Sequence, residues 1–420
     1  MKRGFSSEVK QALNDIYYNV GTRKGAEGFA LLEQASAAGD GDASCILARC
    51  LCGKQYVWPG HGFPVDDARV EQLLHKSVEQ GSALGVLVCM RTGELTPALQ
   101  RKMPFSSLQE AFDIVLEMAE AGDAFCQYTI GNTYFWWDFM EIQGKDRSSF
   151  SSDAKFKAYL KENISKCEDW FQKAFRGGIF FAGNNLDHYY TQGDEDIIAP
   201  HPKKAKELNK IGAEMGYPTY QHFYADELMD KGKVAEAIHW YQLGSENGQP
   251  ECWLHLGELY EKGKGVPQDL ATAAQYYEKG LTPINCDSHR LGCVENLGIL
   301  YYHGQGVPQD FNKAFSLLNE VMLADYAGTA AKFCLGMCYF YGRGTQTDYR
   351  QARKLLESVL TVENIPEANY ALGVMYCQSL GIQEDIAKGV EYLKNAKNYP
   401  AAKEELQKYK RTLFGKWVRR

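Results

Sequence analysis

Residues 252–280 have the sequence CWLHLGELYEKGKGVPQDLATAAQYYEKG, which predicts a helix, a turn marked by glycines and a second helix. Counted from Gly257 as position zero, the informative residues are Tyr260 at +3, Gly263 at +6, Gly265 at +8, Asp269 at +12, Ala273 at +16 and Tyr277 at +20. The same offsets recur from Gly298, Gly336 and Gly373, with Ser379 in place of the first turn glycine in the last copy. Self-similarity at a period of about 40 residues is typical of solenoids built from stacked helix pairs.

Each offset has a physical reason. Gly257 and Tyr260 lie on one helical face, where a small residue allows a neighbouring helix to approach closely. The two glycines allow the positive φ that ends the first helix and turns the chain. Asp269 is predicted to cap the second helix, because its carboxylate can accept hydrogen bonds from the first N–H groups of that helix.

The stretch LGILYYHGQGVPQDFNKAF, residues 297–315, resembles the Sel-one-like repeat, a relative of the tetratricopeptide repeat. The resemblance is strong over 249–397 and weaker upstream. It implies an all-α, right-handed superhelical α-α solenoid of about ten helix-turn-helix repeats. It also implies a non-catalytic, cytoplasmic, bacterial scaffold that binds a partner protein or peptide along its concave groove.

Position zero can also be located in the repeats before Gly257, because in each of them the preceding helix ends in a glycine nine residues earlier. The resulting series is Ala48, Met90, Gly131, Asp187, Ala225, Gly257, Gly298, Gly336 and Gly373. We therefore predict one elongated solenoid over 1–420, with divergent repeats at 1–248, insertions near 54–66 and 141–154, and well-formed repeats at 249–397. Residues 398–420 are predicted to form a capping helix and a basic tail. A docking tail for an acidic partner or a membrane surface is the alternative for this segment.

Composition excludes several classes of protein. The formal net charge of −7 argues against general nucleic-acid binding. The sequence contains no run of 18 apolar residues, so no transmembrane segment is predicted. The twelve cysteines occupy no constant repeat position, which favours reduced, mostly buried thiols in a cytoplasm. No cofactor is predicted.

The resemblance implies that positions −3, +1, +4 and +5 of each first helix face the groove. Large aromatic side chains there would suit an extended peptide, and asparagines can bond its backbone. The Gly131–Asn132 pair resembles the one with which tetratricopeptide domains grip a terminal carboxylate, although the basic residues that complete such a clamp do not recur at matching positions. The predicted groove residues are Tyr128, Asn132, Phe135, Trp136, Asn184, His188, His222, Asp226, Tyr302, Phe333, Phe340 and Tyr341.

Three alternatives remain open at this point. The aromatic residues at 128–137 could be core, because an aromatic stripe at helical spacing is more often packing than site. The region of His188 and His222 could bind a metal in a regulatory or weakly hydrolytic protein, although no HxxxH spacing and no common catalytic or phosphate-binding motif is present. The chain could also be a structural spacer whose groove is filled by its own insert at 143–153. We expect no enzyme.

Overall fold

The computed structural model describes residues 4–18, 24–53, 57, 61–194, 197–281 and 287–420. The described part is dominated by α-helices and divides into two compact units, Met1–Tyr224 (unit 1) and Ala225–Arg420 (unit 2). The prediction of an all-α fold of helix pairs is confirmed. The single elongated solenoid over 1–420 stays a prediction.

Unit 1 begins with a helix that continues as a π-helical turn, Asn14–Tyr18, and it includes a short 3₁₀ turn, Arg147–Ser149. Its α-helices are α1 (Ser7–Leu13), α2 (Gly25–Ala37), α3 (Gly41–Leu51), α4 (Asp67–Glu79), α5 (Ala83–Thr92), α6 (Pro97–Gln100), α7 (Leu108–Glu120), α8 (Ala124–Phe135), α9 (Phe139–Ile142), α10 (Asp153–Ile164), α11 (Lys166–Arg176), α12 (Phe180–Thr191) and α13 (Pro202–Glu214). The next helix, α14 (Pro218–Asp230), contains the boundary between the two units.

Unit 2 continues with regular helix pairs and ends in two short strands. Its helices are α15 (Val234–Glu246), α16 (Glu251–Lys262), α17 (Leu270–Gly280), α18 (Asp287–His303), α19 (Phe311–Leu323), α20 (Thr329–Tyr341), α21 (Tyr349–Leu360), α22 (Pro366–Gln378), α23 (Ile386–Asn395) and α24 (Pro400–Leu406), and its strands are β1 (Tyr409–Arg411) and β2 (Trp417–Arg419).

The small residue at position zero packs directly against the side chain twenty residues later. A Cβ atom built on Gly257 would lie 2.3 Å from the ring of Tyr277, which is fully buried. A Cβ atom built on Gly336 would lie 2.9 Å from the side chain of Leu356. Glycine at this position therefore sets how closely the two helices of a repeat approach.

The turn between the helices is closed by a recurring backbone hydrogen bond. The N–H at +12 donates to the carbonyl at +3, as Asp269 does to Tyr260 at 3.0 Å and Asp348 to Tyr339 at 3.0 Å. The carboxylate of Asp269 also caps α17 by accepting hydrogen bonds from the N–H groups of Ala271 and Thr272. These contacts confirm the predicted roles of the aspartates.

The two predicted insertions lie in unit 1. Residues 54–56 and 58–60 of the first insertion fall outside the described residues. In the second, Phe150 packs against Phe156 and Tyr159 of α10, and the Tyr159 hydroxyl donates to Gln143 at 2.6 Å. This insert is therefore held by the helix that follows it.

The structure has a helix where the capping helix is predicted, α24, which ends at Leu406, and the basic residues beyond it form a hairpin. β1 and β2 pair antiparallel, with Tyr409 opposite Arg419, and Gly415 turns the chain at φ 80°. The Thr412 N–H donates to the Lys416 carbonyl at 2.8 Å. Aromatic and β-branched residues on both sides of a left-handed glycine favour this hairpin over a helix.

Two further predictions concern the burial of the cysteines and the presence of membrane-spanning helices. The described cysteines are free, and all except Cys52 are buried, in agreement with the predicted buried thiols. No helix in the described part of the chain is long and apolar enough to cross a membrane.

We predict that Gly257→Ala lowers the free energy of unfolding by about 1–3 kcal/mol, because the added methyl group must displace the buried ring of Tyr277. Urea denaturation followed by circular dichroism measures this change. The matched control is Glu258→Ala, which removes only an exposed ion pair with Lys262 and should cost about 0.3–0.5 kcal/mol. Equal losses in the two variants would contradict the packing argument.

Candidate binding cleft

Four first helices of unit 1 contribute to one open cleft of about 360 Å³. The lining residues come from α3, α5, α12 and residues 124–138, which comprise α8 and the residues just after it (the α8 segment). They are Arg49, Arg91, Tyr128, Asn132, Trp136, Phe181, Asn184 and Asn185. The cleft thus brings together four of the predicted groove residues, namely Tyr128, Asn132, Trp136 and Asn184. It also contains two arginines that the sequence analysis did not name.

The arginines could have been found from the repeat offset. Ala48, Met90 and Gly131 are each the eighth residue of their helices, α3, α5 and α8. Position +1 is therefore occupied by Arg49, Arg91 and Asn132. The groove residues named from the sequence begin only at the fourth repeat, so they do not include the two arginines. The basic side chains near Asn132 are thus Arg49 and Arg91, which come from the two preceding repeats.

Arg91 is held by the end of the α8 segment. Its guanidinium donates to Asp138 through Nε at 3.0 Å and through a second, shorter contact, and it donates to the Asn132 carbonyl at 2.7 Å. Burial lowers the pKa of Arg91, and it raises the pKa of Asp138 to about 6 although Arg91 acts in the opposite direction. Arg91 also lies 5.5 Å from the ring centroid of Trp136. The Arg91–Asp138 ion pair therefore fixes the position of the guanidinium, and the contact between Arg91 and Trp136 fixes that of the indole.

Arg49 lies at the aromatic side of the cleft. Its guanidinium carbon is 5.5 Å from the ring centroids of both Phe125 and Tyr128, a cation–π arrangement. Tyr128 itself is buried and forms part of the floor. The lining of the cleft contributes two guanidinium groups and no carboxylate among the described residues.

The asparagines form the polar part of the cleft. The Asn185 amide donates to the Asn132 side-chain oxygen at 2.7 Å. Within the described part of the chain, the Asn132 side-chain nitrogen and the Asn185 side-chain oxygen have no hydrogen-bond partner, and Asn184 is exposed. Both a donor and an acceptor therefore remain for a ligand.

A second open cleft of about 390 Å³ shares Trp136 with the first. Phe135 and His188 line it, and their rings meet edge to face at 5.8 Å. Trp137 also lines it, at φ 70°, and its indole N–H donates to Asp194 at 2.9 Å. A bulky residue in the left-handed region stores about 1–3 kcal/mol of strain, which often marks a functional segment.

Position +4 is buried at Phe135, Tyr302 and Phe340, although Phe135 still lines the second cleft. At 3.6 residues per turn, +4 lies only about 40° from the packed position zero, whereas +5 lies about 140° away. The +5 residues Trp136 and Tyr341 are accordingly 55% and 41% exposed.

The remaining predicted residues do not line this cleft. Phe333 is half-buried, and His222 is buried beside Phe223. Asp226 belongs to unit 2, where it accepts a hydrogen bond from the Tyr241 hydroxyl. Among the described residues, His188 belongs to no group of three potential metal ligands.

The fold is that of an α-helical repeat protein, and the first helices of unit 1 line an open cleft. The family model of the Sel1 repeat matches residues 157–179, 224–249, 254–281, 293–320, 330–358 and 366–398. The chain therefore carries six Sel1 repeats, as the sequence resemblance predicted.

Similar proteins with solved structures include the protective antigen c5321 of uropathogenic Escherichia coli, which displays an SLR fold. It is 20% identical, with a TM-score of 0.45, and the match covers 95% of this chain and 78% of the antigen. A Sel1 repeat protein from Oxalobacter formigenes is 19% identical, with a TM-score of 0.41 and coverage of 87% and 94%.

A curated relative is DAP3-binding cell death enhancer 1 of Rattus norvegicus. It is 29% identical over 96 residues, which are 22% of this chain. The match spans 19% of the length of the relative.

We predict that a double-mutant cycle of Arg91→Gln and Asp138→Asn gives a coupling energy of about 1.5–3 kcal/mol, because either single change leaves a largely buried polar partner unsatisfied. Chemical denaturation of the four proteins measures it. The control cycle is Arg147→Gln with Asp153→Asn, an ion pair at the surface, whose coupling should be about 0–0.5 kcal/mol. Similar coupling in both cycles would show that the cleft pair has no special role in stability.

Proposed function

We propose that the protein is a non-catalytic adaptor and that the cleft of unit 1 binds an extended segment of a partner protein. Sel1-repeat proteins are generally scaffolds for protein–protein interaction. The observation that carries the proposal for this chain is the convergence of two arginines, three asparagines and an exposed tryptophan from four first helices.

The asparagines suit a peptide backbone. An amide side chain can donate to a peptide carbonyl and accept from a peptide N–H. The Asn185–Asn132 hydrogen bond orients both amides and leaves one donor and one acceptor for the ligand. Recognition of this kind depends on an extended backbone rather than on one particular side chain.

Trp136 supplies the apolar contact. It is more than half exposed, although Arg91 on one face and Phe135 at 4.8 Å hold its position. A rigid aromatic side chain offers a large contact area at a low cost in conformational entropy, and tryptophan is enriched among residues that dominate binding energy.

A guanidinium group in the cleft favours a ligand with a negative charge. Guanidinium groups bind carboxylates in a geometry that gives both hydrogen bonds and charge attraction. Arg91 is paired with Asp138, so the charge contact that we propose is made by Arg49, and the ligand is a peptide segment with an aspartate, a glutamate or a terminal carboxylate.

Of the residues named for a metal or hydrolytic site, His188 packs its ring against Phe135, and His222 is buried. The insert at 143–153 packs on α10, while Trp136 stays exposed, so the cleft is available to a ligand.

We predict that a random-peptide display library selected on the wild-type protein becomes enriched in acidic residues. The double variant Asn132→Ala/Trp136→Ala should bind the selected peptides at least about tenfold more weakly, because it loses the amide contacts and the aromatic surface. Fluorescence anisotropy with labelled peptides measures the affinities. The control is Trp170→Ala, which removes a partly exposed tryptophan of α11 outside both clefts and should leave binding unchanged.

The variants also separate binding from folding. If Asn132→Ala/Trp136→Ala keeps wild-type helical circular dichroism and melting temperature, loss of binding assigns the residues to the site. If it unfolds, they are core, and the proposal fails at these positions. Equal affinity of the folded variant and the wild type would exclude the cleft.

We predict that Arg49→Gln lowers the affinity for the selected acidic peptides by about tenfold, because one charge–charge contact is lost. For the same reason, binding should depend less on the salt concentration. Binding titrations at low and high ionic strength measure both effects. An unchanged salt dependence would show that Arg49 does not meet the acidic group.

A further inference from the structure

The hairpin at residues 408–420 (the basic hairpin) presents two apolar side chains to solvent. Leu413 is 103% and Phe414 is 99% exposed, and together they form the hairpin tip. Adjacent, fully exposed side chains of this size are unusual, because singly scattered apolar residues are the ordinary case on a protein surface. The hairpin tip is therefore a candidate contact surface.

The base of the basic hairpin is fixed to unit 2. Tyr409 is buried, and its hydroxyl donates to Glu405 at 3.2 Å. Arg419 donates to the Cys377 carbonyl at 2.7 Å and to Glu384 at 3.0 Å. The ammonium group of Lys394 lies 4.5 Å from the ring centroid of Trp417. A fixed base with an uncovered tip presents Leu413 and Phe414 away from the helices.

The charges around the tip all have one sign. Residues 406–420 contain no aspartate or glutamate, and they contain the six cations Lys408, Lys410, Arg411, Lys416, Arg419 and Arg420. Lys408 and Arg419 form ion pairs with Glu405 and Glu384. Within the described residues, Lys410 and Lys416 on the two sides of the tip have no carboxylate partner. The basic hairpin is thus a local positive surface on a chain whose formal net charge is −7.

We propose that the basic hairpin docks on an anionic lipid bilayer, with Leu413 and Phe414 inserted at the acyl boundary and Lys410, Arg411 and Lys416 among the headgroups. Apolar residues flanked by cations are the pattern of segments that lie in the membrane interface, and anionic headgroups attract such cations. A bilayer accepts both apolar side chains without a matching pocket, whereas an acidic protein partner would need one.

Cosedimentation of the full chain with vesicles tests the proposal. The vesicles are equimolar phosphatidylserine and phosphatidylcholine, compared with phosphatidylcholine alone. We expect the wild type to bind the anionic vesicles and not the zwitterionic ones, with binding that falls as salt is added. Absence of binding to the anionic vesicles would overturn the proposal.

Two variants separate the roles of the tip and the charges. Leu413→Ser/Phe414→Ser should lower the partition coefficient at least about tenfold, because the inserted apolar surface is lost. Lys410→Gln/Lys416→Gln should lower it by about tenfold or more on anionic vesicles. The matched control is Leu323→Ser/Val362→Ser, which removes two residues of the same unit that are 81% and 74% exposed and should change binding less than about twofold.

Other results would assign the tip differently. Equal binding by the tip variant and the wild type, or an equal loss in the control, would overturn lipid docking. Dimers in light scattering that disappear in the tip variant would assign the tip to a second copy of the chain. Because the basic hairpin belongs to unit 2, the tip variant should bind the peptides selected on the unit 1 cleft as the wild type does.

Discussion

The distance between the two helices of a repeat is the constraint on which the other features depend. At Gly257 and Gly336 a single added Cβ atom would approach Tyr277 or Leu356 more closely than atoms normally pack. The glycine at position zero lets the helices close, and the side chain at +20 fills the space above it. The hydrogen bond from the +12 N–H to the +3 carbonyl then holds the turn at the end of the pair.

This packing also determines which side chains remain for a ligand. Once position zero faces the second helix, +4 lies on nearly the same side and is buried, while +1 and +5 point away. In unit 1 the +1 residues Arg49, Arg91 and Asn132 and the +5 residue Trp136 consequently line one cleft.

Much of the fold could be predicted from the sequence, because each offset between Gly257 and Tyr277 has a local cause. The hairpin at the end of the chain was not predicted, since the helix-favouring residues before Leu406 obscured the turn at Gly415. The arginines of the cleft were missed because the groove positions were not extended to the repeats of Ala48 and Met90. Their contacts with Tyr128 and Asp138 depend on packing between repeats, which no offset within one repeat reveals.

Site-specific photocrosslinking in cells is the most direct test of the central claim, that the first helices of unit 1 bind a partner segment. A photoreactive phenylalanine would replace exposed Asn184 in the cleft and, separately, exposed Lys206 of α13 outside it. We predict that the Asn184 position alone crosslinks to a defined segment of a partner, with an acidic residue beside the crosslink in the mass spectrum. The same products from both positions, or none from Asn184, would contradict it.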